Sequence, residues 1–205
     1  IPRTLALAAF GNLDLTIIDQ LPAGRQKVIT KIAAERDRKK IYEKMRAEID
    51  AGRQAYVICP RVEEPDPNLV TALQVTSVEQ ELKRLQTKIF TDLTIGSLHG
   101  KMKPAEKESV MQDFADHKID ILVATSVVEV GVNVANATFI LIEGAERFGL
   151  SQLHQLRGRV QRSSHQPHCY LMTESTAENT LERMKIITTA ANGFELAEHD
   201  LRLRG

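Results

Sequence analysis

The sequence predicts an α/β fold, a parallel sheet with helices on both faces. Three observations point to it. Apolar runs of strand length alternate with helical stretches along the chain. The spacing between runs suits right-handed strand–helix–strand units. Short polar segments follow several of the runs, and such sheets bind ligands at the carboxyl ends of their strands.

The elements follow in order. Residues 15–18 form a short β-rich run, and Leu21, Pro22 and Gly24 mark a linker. Residues 27–32 alternate with period two, as a half-buried strand does. Residues 35–51 form an amphipathic helix with Ile41, Met45 and Ile49 four apart, ended by Gly52. Residues 54–59 are an apolar strand stopped by Pro60, and the prolines and acids of 63–68 make a loop. Ser77 with Gln80 resembles a capping box opening a helix to about residue 88. Residues 93–98 form a strand that runs into the His99–Gly100 turn, and Pro104 suits the first turn of the next helix. Strands follow at 119–124 and 138–142. Ser151 is expected to cap a helix over 152–160. A last strand at 169–172 precedes a helix over 176–190.

Hydrophobic residues at 42% and charged residues at 26% exclude a disordered chain. No apolar run approaches the length of a membrane span, so no membrane partner is expected. Cys59 and Cys169 each close a short apolar run and are read as reduced, buried thiols of a cytoplasmic protein. The two cysteines show no CxxC spacing, and no metal site is expected. The chain starts at Ile1 without an initiator Met and stops at Gly205 without a cap, so a piece of a longer product is expected.

Lys plus Arg equals Asp plus Glu at 27 each, and zero net charge by itself argues weakly against a polyanionic partner. The charge is nevertheless uneven. From Arg147 to Thr173 there is no acid, while Arg147, Arg157, Arg159 and Arg162 make that window +4 and leave the rest −4. The plain reading of a charge run is a solvated helix face. Here the cations are all Arg, whose planar fork pairs bidentately with phosphate, and three of them surround Gly158. Arg159 and Arg162 share a face if the helix continues, and an anion between them relieves their repulsion. An arginine aimed at the γ-phosphate is a large term in phosphoryl transfer.

The run Gln155-Leu156-Arg157-Gly158-Arg159-Val160-Gln161-Arg162 matches QxxGRxxR, motif VI of superfamily-two helicases, and residues 120–134 look like motif V. Residues 98–108 and 146–160 closely resemble the RecG family of bacterial ATP-dependent DNA helicases, with the transcription-repair coupling factors as sister family. Residues 1–7 look like the stretch after motif III, and 192–205 resemble the translocation motif of both families. The resemblance implies a RecA-like, P-loop NTPase-type helicase lobe over 23–175. The tail of a first motor lobe and a linker would occupy 1–22, and a helical translocation element would start at 176–205. By motif, Arg159 and Arg162 are arginine fingers. Gln155, Gly131 and Asn133 bind or couple ATP, Thr125, Ser126, His99 and Gly100 contact DNA, and Arg202 and Arg204 belong to the translocation motif. The implied cofactors are ATP and Mg²⁺, the metal held by the other lobe. The implied partners are that first lobe, a wedge domain of the same chain, and branched DNA such as Holliday junctions and stalled forks, remodelled in recombination and repair.

Bland readings stand beside these roles. Thr125 and Ser126 suit a helix cap, His99 a hydrogen-bonded turn, Gly131 a tight turn. Lys101, Lys103 and Lys107 read by default as a solvated face, and so do Arg202 and Arg204. Three positions depart from the family's pattern: Gln161 and Ser163 where Gly is usual, and Asn133 where Asp is usual. There is no GxxxxGK[ST] loop and no DExH box, so this polypeptide alone is expected to lack ATPase and helicase activity. The alternatives are the motor lobe of a transcription-repair coupling factor and a RecA-like module that grips nucleic acid without hydrolysis.

Overall fold

A computed structural model describes residues 26–60, 77–125, 134–161 and 164–190. Six strands form one sheet: β1 (Ile29–Ala33), β2 (Gln54–Ile58), β3 (Ile95–Leu98), β4 (Ile121–Ala124), β5 (Ala137–Ile142) and β6 (His168–Met172). Their order is β1-β6-β5-β2-β4-β3, and every neighbouring pair is parallel. The helices are α1 (Arg38–Asp50), α2 (residues 77–89, π-helical over Leu85–Ile89), α3 (Pro104–Ala115), α4 (Leu150–Gly158) and α5 (Glu178–Thr189).

Each described element falls where the hydrophobic pattern predicts one. Strands β2, β4 and β5 are buried at every position because helices cover both faces. On one face Ile41, Met45 and Ile49 of α1 and Leu85 of α2 pack on Val57, Val123 and Leu141. On the other, Phe114 of α3, Leu153 and Leu156 of α4, and Met184 and Ile187 of α5 pack on Ile58, Leu122 and Ile140. Helix α5, assigned from the resemblance to the translocation element, contributes to this core and lies against β1 and α4.

Gly52 ends α1 as expected. It sits at φ +78°, and the bonds from Gly52 N–H to Ile49 O (2.8 Å) and Arg53 N–H to Glu48 O (3.1 Å) form a Schellman stop. His117, at φ +62°, ends α3 in the same way through bonds to Phe114 O and from Lys118 N–H to Asp113 O. One polar residue inside the first apolar strand is a structural tie. The Gln54 amide is fully buried and donates to Phe114 O (2.6 Å) in the last turn of α3 and to Ile119 O (2.7 Å) just before β4. Helix α4 starts at Leu150 with Gly149 as N-cap, two residues before the expected Ser151 cap. Leu150 is needed in the core, and Gln152 Oε1 accepts the Gly149 N–H at 3.1 Å. Both cysteines are free and buried, and burial pushes the Cys169 thiol up to about 12. No helix among the described residues is long and apolar enough to cross a membrane.

Candidate nucleotide and nucleic-acid interface

Two groups of motif residues fall within the described structure. Gln155 and Arg159 are on and just after α4, while His99, Gly100 and Thr125 follow β3 and β4. Arg162, Gly131, Asn133, Ser126, Arg202 and Arg204 lie outside the described residues.

Helix α4 turns Leu150, Leu153 and Leu156 into the core and leaves Gln155 exposed on the opposite side. The helix ends at Gly158. Three tightened bonds then carry the chain on: Arg159 N–H to Leu156 O (3.0 Å), Val160 N–H to Arg157 O (3.4 Å) and Gln161 N–H to Gly158 O (3.4 Å). Arg159 is therefore held in helical backbone geometry, at φ −66° and ψ −30°, with Val160 buried behind it. A Cβ placed on Gly158 meets no atom of the described residues within 4 Å.

Arg157 departs from the reading of the basic window as one phosphate-facing cluster. It is 7% exposed and donates to Ile187 O (2.5 Å) and Ala190 O (3.4 Å), carbonyls at the end of α5. A cation there meets the negative end of the α5 dipole. Its Nη2 also donates to His154 Nδ1 at 3.2 Å. Arg157 is thus a strut between α4 and α5. Burial lowers its pKa, and burial together with the Arg157 charge lowers that of His154.

At the other group, β3 and β4 run side by side and Thr125 N–H donates to Leu98 O at 3.3 Å, so His99 and Thr125 emerge together. Thr125 is 1% exposed, yet its Oγ1 has no hydrogen-bond partner among the described residues, and the same holds for the buried His99 Nδ1. Such unpaired buried groups cost about 1–3 kcal/mol each. Two of them at adjacent carboxyl ends form a set that a phosphate oxygen can satisfy.

Sequence reasoning missed an ion-pair network at the β1 and β5 ends. Arg38 is bidentate to Glu143 (2.5 and 2.9 Å), bonds Glu35 Oε1 (2.6 Å) and donates to the Tyr42 hydroxyl (3.0 Å). Arg84 is bidentate to Glu81 and also bonds the Tyr42 hydroxyl. The Glu35/Arg38 spacing is legible as a helical pair, but Glu143 is brought in from the end of β5. A cleft of about 630 Å³ between α1 and α2 is lined by Tyr42, Arg46, Arg84 and Phe90, and no motif residue lines it. Among the described residues no group of three or more His, Cys, Asp or Glu could hold a metal ion.

The family model for the helicase conserved C-terminal domain matches residues 36–164. The chain belongs to the helicase conserved C-terminal domain family. Over all 205 residues this helicase domain is 47% identical to a Synechocystis sp. protein named ATP-dependent DNA helicase RecG. It is 48% identical over the same length to the protein of that name from Staphylococcus aureus. The chain spans 24% and 29% of those two proteins' lengths. A solved structure of RecG bound to a three-way DNA junction aligns with 100% of the chain and 26% of its own, at 38% identity and a TM-score of 0.81. The fold is the RecA-like fold of helicase C-terminal lobes.

Acid reaches two histidines of this domain. His168 is 6% exposed, and burial, Lys44 and other nearby cations outweigh Glu48 in lowering its pKa. Both His154 and His168 thus titrate below the ordinary 6.5 when folded. The unfolded chain then binds protons that the folded one refuses, so stability holds above about pH 6.5 and falls as pH drops below it. Urea midpoints at about pH 7.5 and 5.5 should show this loss, and His154→Asn with His168→Asn should flatten it. An equally steep loss in the double variant would assign it to other groups.

Proposed function

We propose that this chain is the second motor lobe of an ATP-dependent DNA helicase that remodels branched DNA, by branch migration and fork regression, in recombination and repair. The observation that carries this reading is 47–48% identity along the whole chain to proteins named ATP-dependent DNA helicase RecG. On it, residues 1–22 end a first motor lobe, 23–175 are the second lobe and 176–205 begin a translocation element.

ATP lies between the two lobes on this reading and supplies the γ-phosphoryl group whose transfer to water drives movement. Arg159 and Arg162 reach the γ-phosphate as arginine fingers, and guanidinium donors suit an anion of that charge. Gln155 positions the nucleotide, with Gly131 and Asn133 coupling it to motion. Mg²⁺ would be held by the first lobe, since this sequence has no DExH box. His99, Gly100, Thr125 and Ser126 meet phosphates of the DNA, and the unpartnered Thr125 Oγ1 and His99 Nδ1 support that role. Backbone contacts read no sequence, as a translocating motor requires. Arg202 and Arg204 act in the translocation motif.

The test is ATP-dependent unwinding of a three-way junction by the full-length protein. Activity there, with no turnover from the 205-residue chain alone, is the expected result. DNA-stimulated ATP hydrolysis by the isolated chain overturns the division of labour between lobes. Gln161 and Asn133, where the family usually has Gly and Asp, favour a second reading, a module that grips nucleic acid without hydrolysis. Full-length protein that binds the junction but never turns over ATP would establish that reading instead.

A further inference from the structure

The connection from β3 into α3 carries Lys101, Lys103 and Lys107, whose plainest reading is a solvated face. Their surroundings are not alike. Lys107 Nζ donates to Gly100 O at 3.1 Å, so its charge braces the turn. Two further bonds pin the same turn: Met102 N–H to His99 O (3.3 Å) and Lys103 N–H to Glu106 Oε2 (2.9 Å). Met102 packs against the core. Lys101 and Lys103 flank that inward side chain, both are exposed, and neither forms an ion pair with a described residue. Two ammonium groups are thereby held on a braced turn directly after His99 and Gly100.

The carboxyl edge of the sheet is also polarised. Strands β1, β5 and β6 are followed by the carboxylates Glu35, Glu143 and Glu174. Strands β3 and β4 are followed by His99 and Thr125, with their unpartnered buried atoms, and then by Lys101 and Lys103. Glu35 and Glu143 are already paired with Arg38, whereas the ammonium groups of Lys101 and Lys103 are left to attract a polyanion to the β3/β4 end.

We propose that Lys101 and Lys103 extend His99 and Thr125 into one row that binds successive phosphates of a single nucleic-acid strand. This rests on the reading of the β3 and β4 ends as DNA-backbone contacts. Lysine suits the role because its flexible point charge meets a phosphate without demanding a base or a fixed angle.

The test is the salt dependence of three-way-junction binding by the full-length protein, followed by fluorescence anisotropy. Lys101→Gln with Lys103→Gln should lower the slope of log K against log salt by about two units, at about 0.9 per phosphate contact. Lys40→Gln with Lys83→Gln, at exposed positions on α1 and α2, should leave it unchanged. An unchanged slope in the first pair overturns the row, and so does an equal fall in the second pair, which would report bulk charge alone. Thr125→Val and Thr125→Ser test the underlying reading separately: Val should weaken binding and Ser retain it. Weakened binding in Thr125→Val beside an unchanged lysine slope removes the row and leaves the strand-end contacts. Normal binding in both removes the two together.

Discussion

Replacing Arg159 by alanine in the full-length protein should lower kcat for DNA-stimulated ATP hydrolysis by about 10³–10⁵-fold, the range for an arginine finger. The side chain stands at the end of α4 on backbone tied by three consecutive tight bonds, with Val160 buried behind it. Truncation there removes a guanidinium and leaves the supporting turn in place. Folding and junction binding should therefore be retained. Arg159→Lys should recover only part of the rate, because an ammonium keeps the charge but not the planar fork. Single-turnover ATPase assays with anisotropy binding in parallel make the comparison. Unchanged turnover in Arg159→Ala would remove the finger role.

The largest effect on stability should come from the pair Arg38 and Glu143. Their side chains are 20% and 15% exposed, and they lock the start of α1 to the end of β5. Removing one partner of such a part-buried pair costs about 1–3 kcal/mol, between the exposed and the fully buried cases, much of it from the charge left behind. Glu143→Ala should fall in that range in urea unfolding. Arg38→Ala should cost about as much, since it also releases Glu35 and the Tyr42 hydroxyl. The double variant should cost clearly less than the sum of the two singles, because it removes both members of the pair and leaves neither charge without the other. Strict additivity in this cycle would mean the pair is no more than a surface contact.

Much of the architecture was legible before any coordinates. The spacing of Ile41, Met45 and Ile49 marks α1 because a helix buries one stripe, and Gly52 marks its end because φ +78° suits glycine. The run 54–59 marks an internal strand because a parallel sheet is covered on both sides. His99 and Thr125 each fall at a strand end by the same pattern, while the sheet order makes those two strands neighbours. The patterns are local rules, readable from neighbours three or four residues away.

Other features had no local signal. Gln54 sits in an apolar run and looks misplaced until Phe114 O and Ile119 O are brought against it. Arg157 reads as one more cation in a basic window, two residues from Arg159. Only the packing of α5 on α4 turns it inward onto two carbonyls, while Gln155 stays outside. Glu143 finds Arg38 across about a hundred intervening residues, a pairing that no spacing rule contains.

By itself the sequence determined the alternation of strands and helices, the buried stripe of each, and the order of motifs that relates this chain to helicases. Those depend on which side chains must leave water and on residue types at fixed offsets. Only the tertiary structure decided how the charges are divided. A guanidinium or ammonium pairs with whatever group lies within about 3 Å in the folded state, and chain distance does not limit that choice. Folding thus sends Arg157 into the core, commits Arg38 to Glu143, and uses Lys107 to brace the turn after β3. It leaves Lys101 and Lys103 facing outward beside the two strand ends.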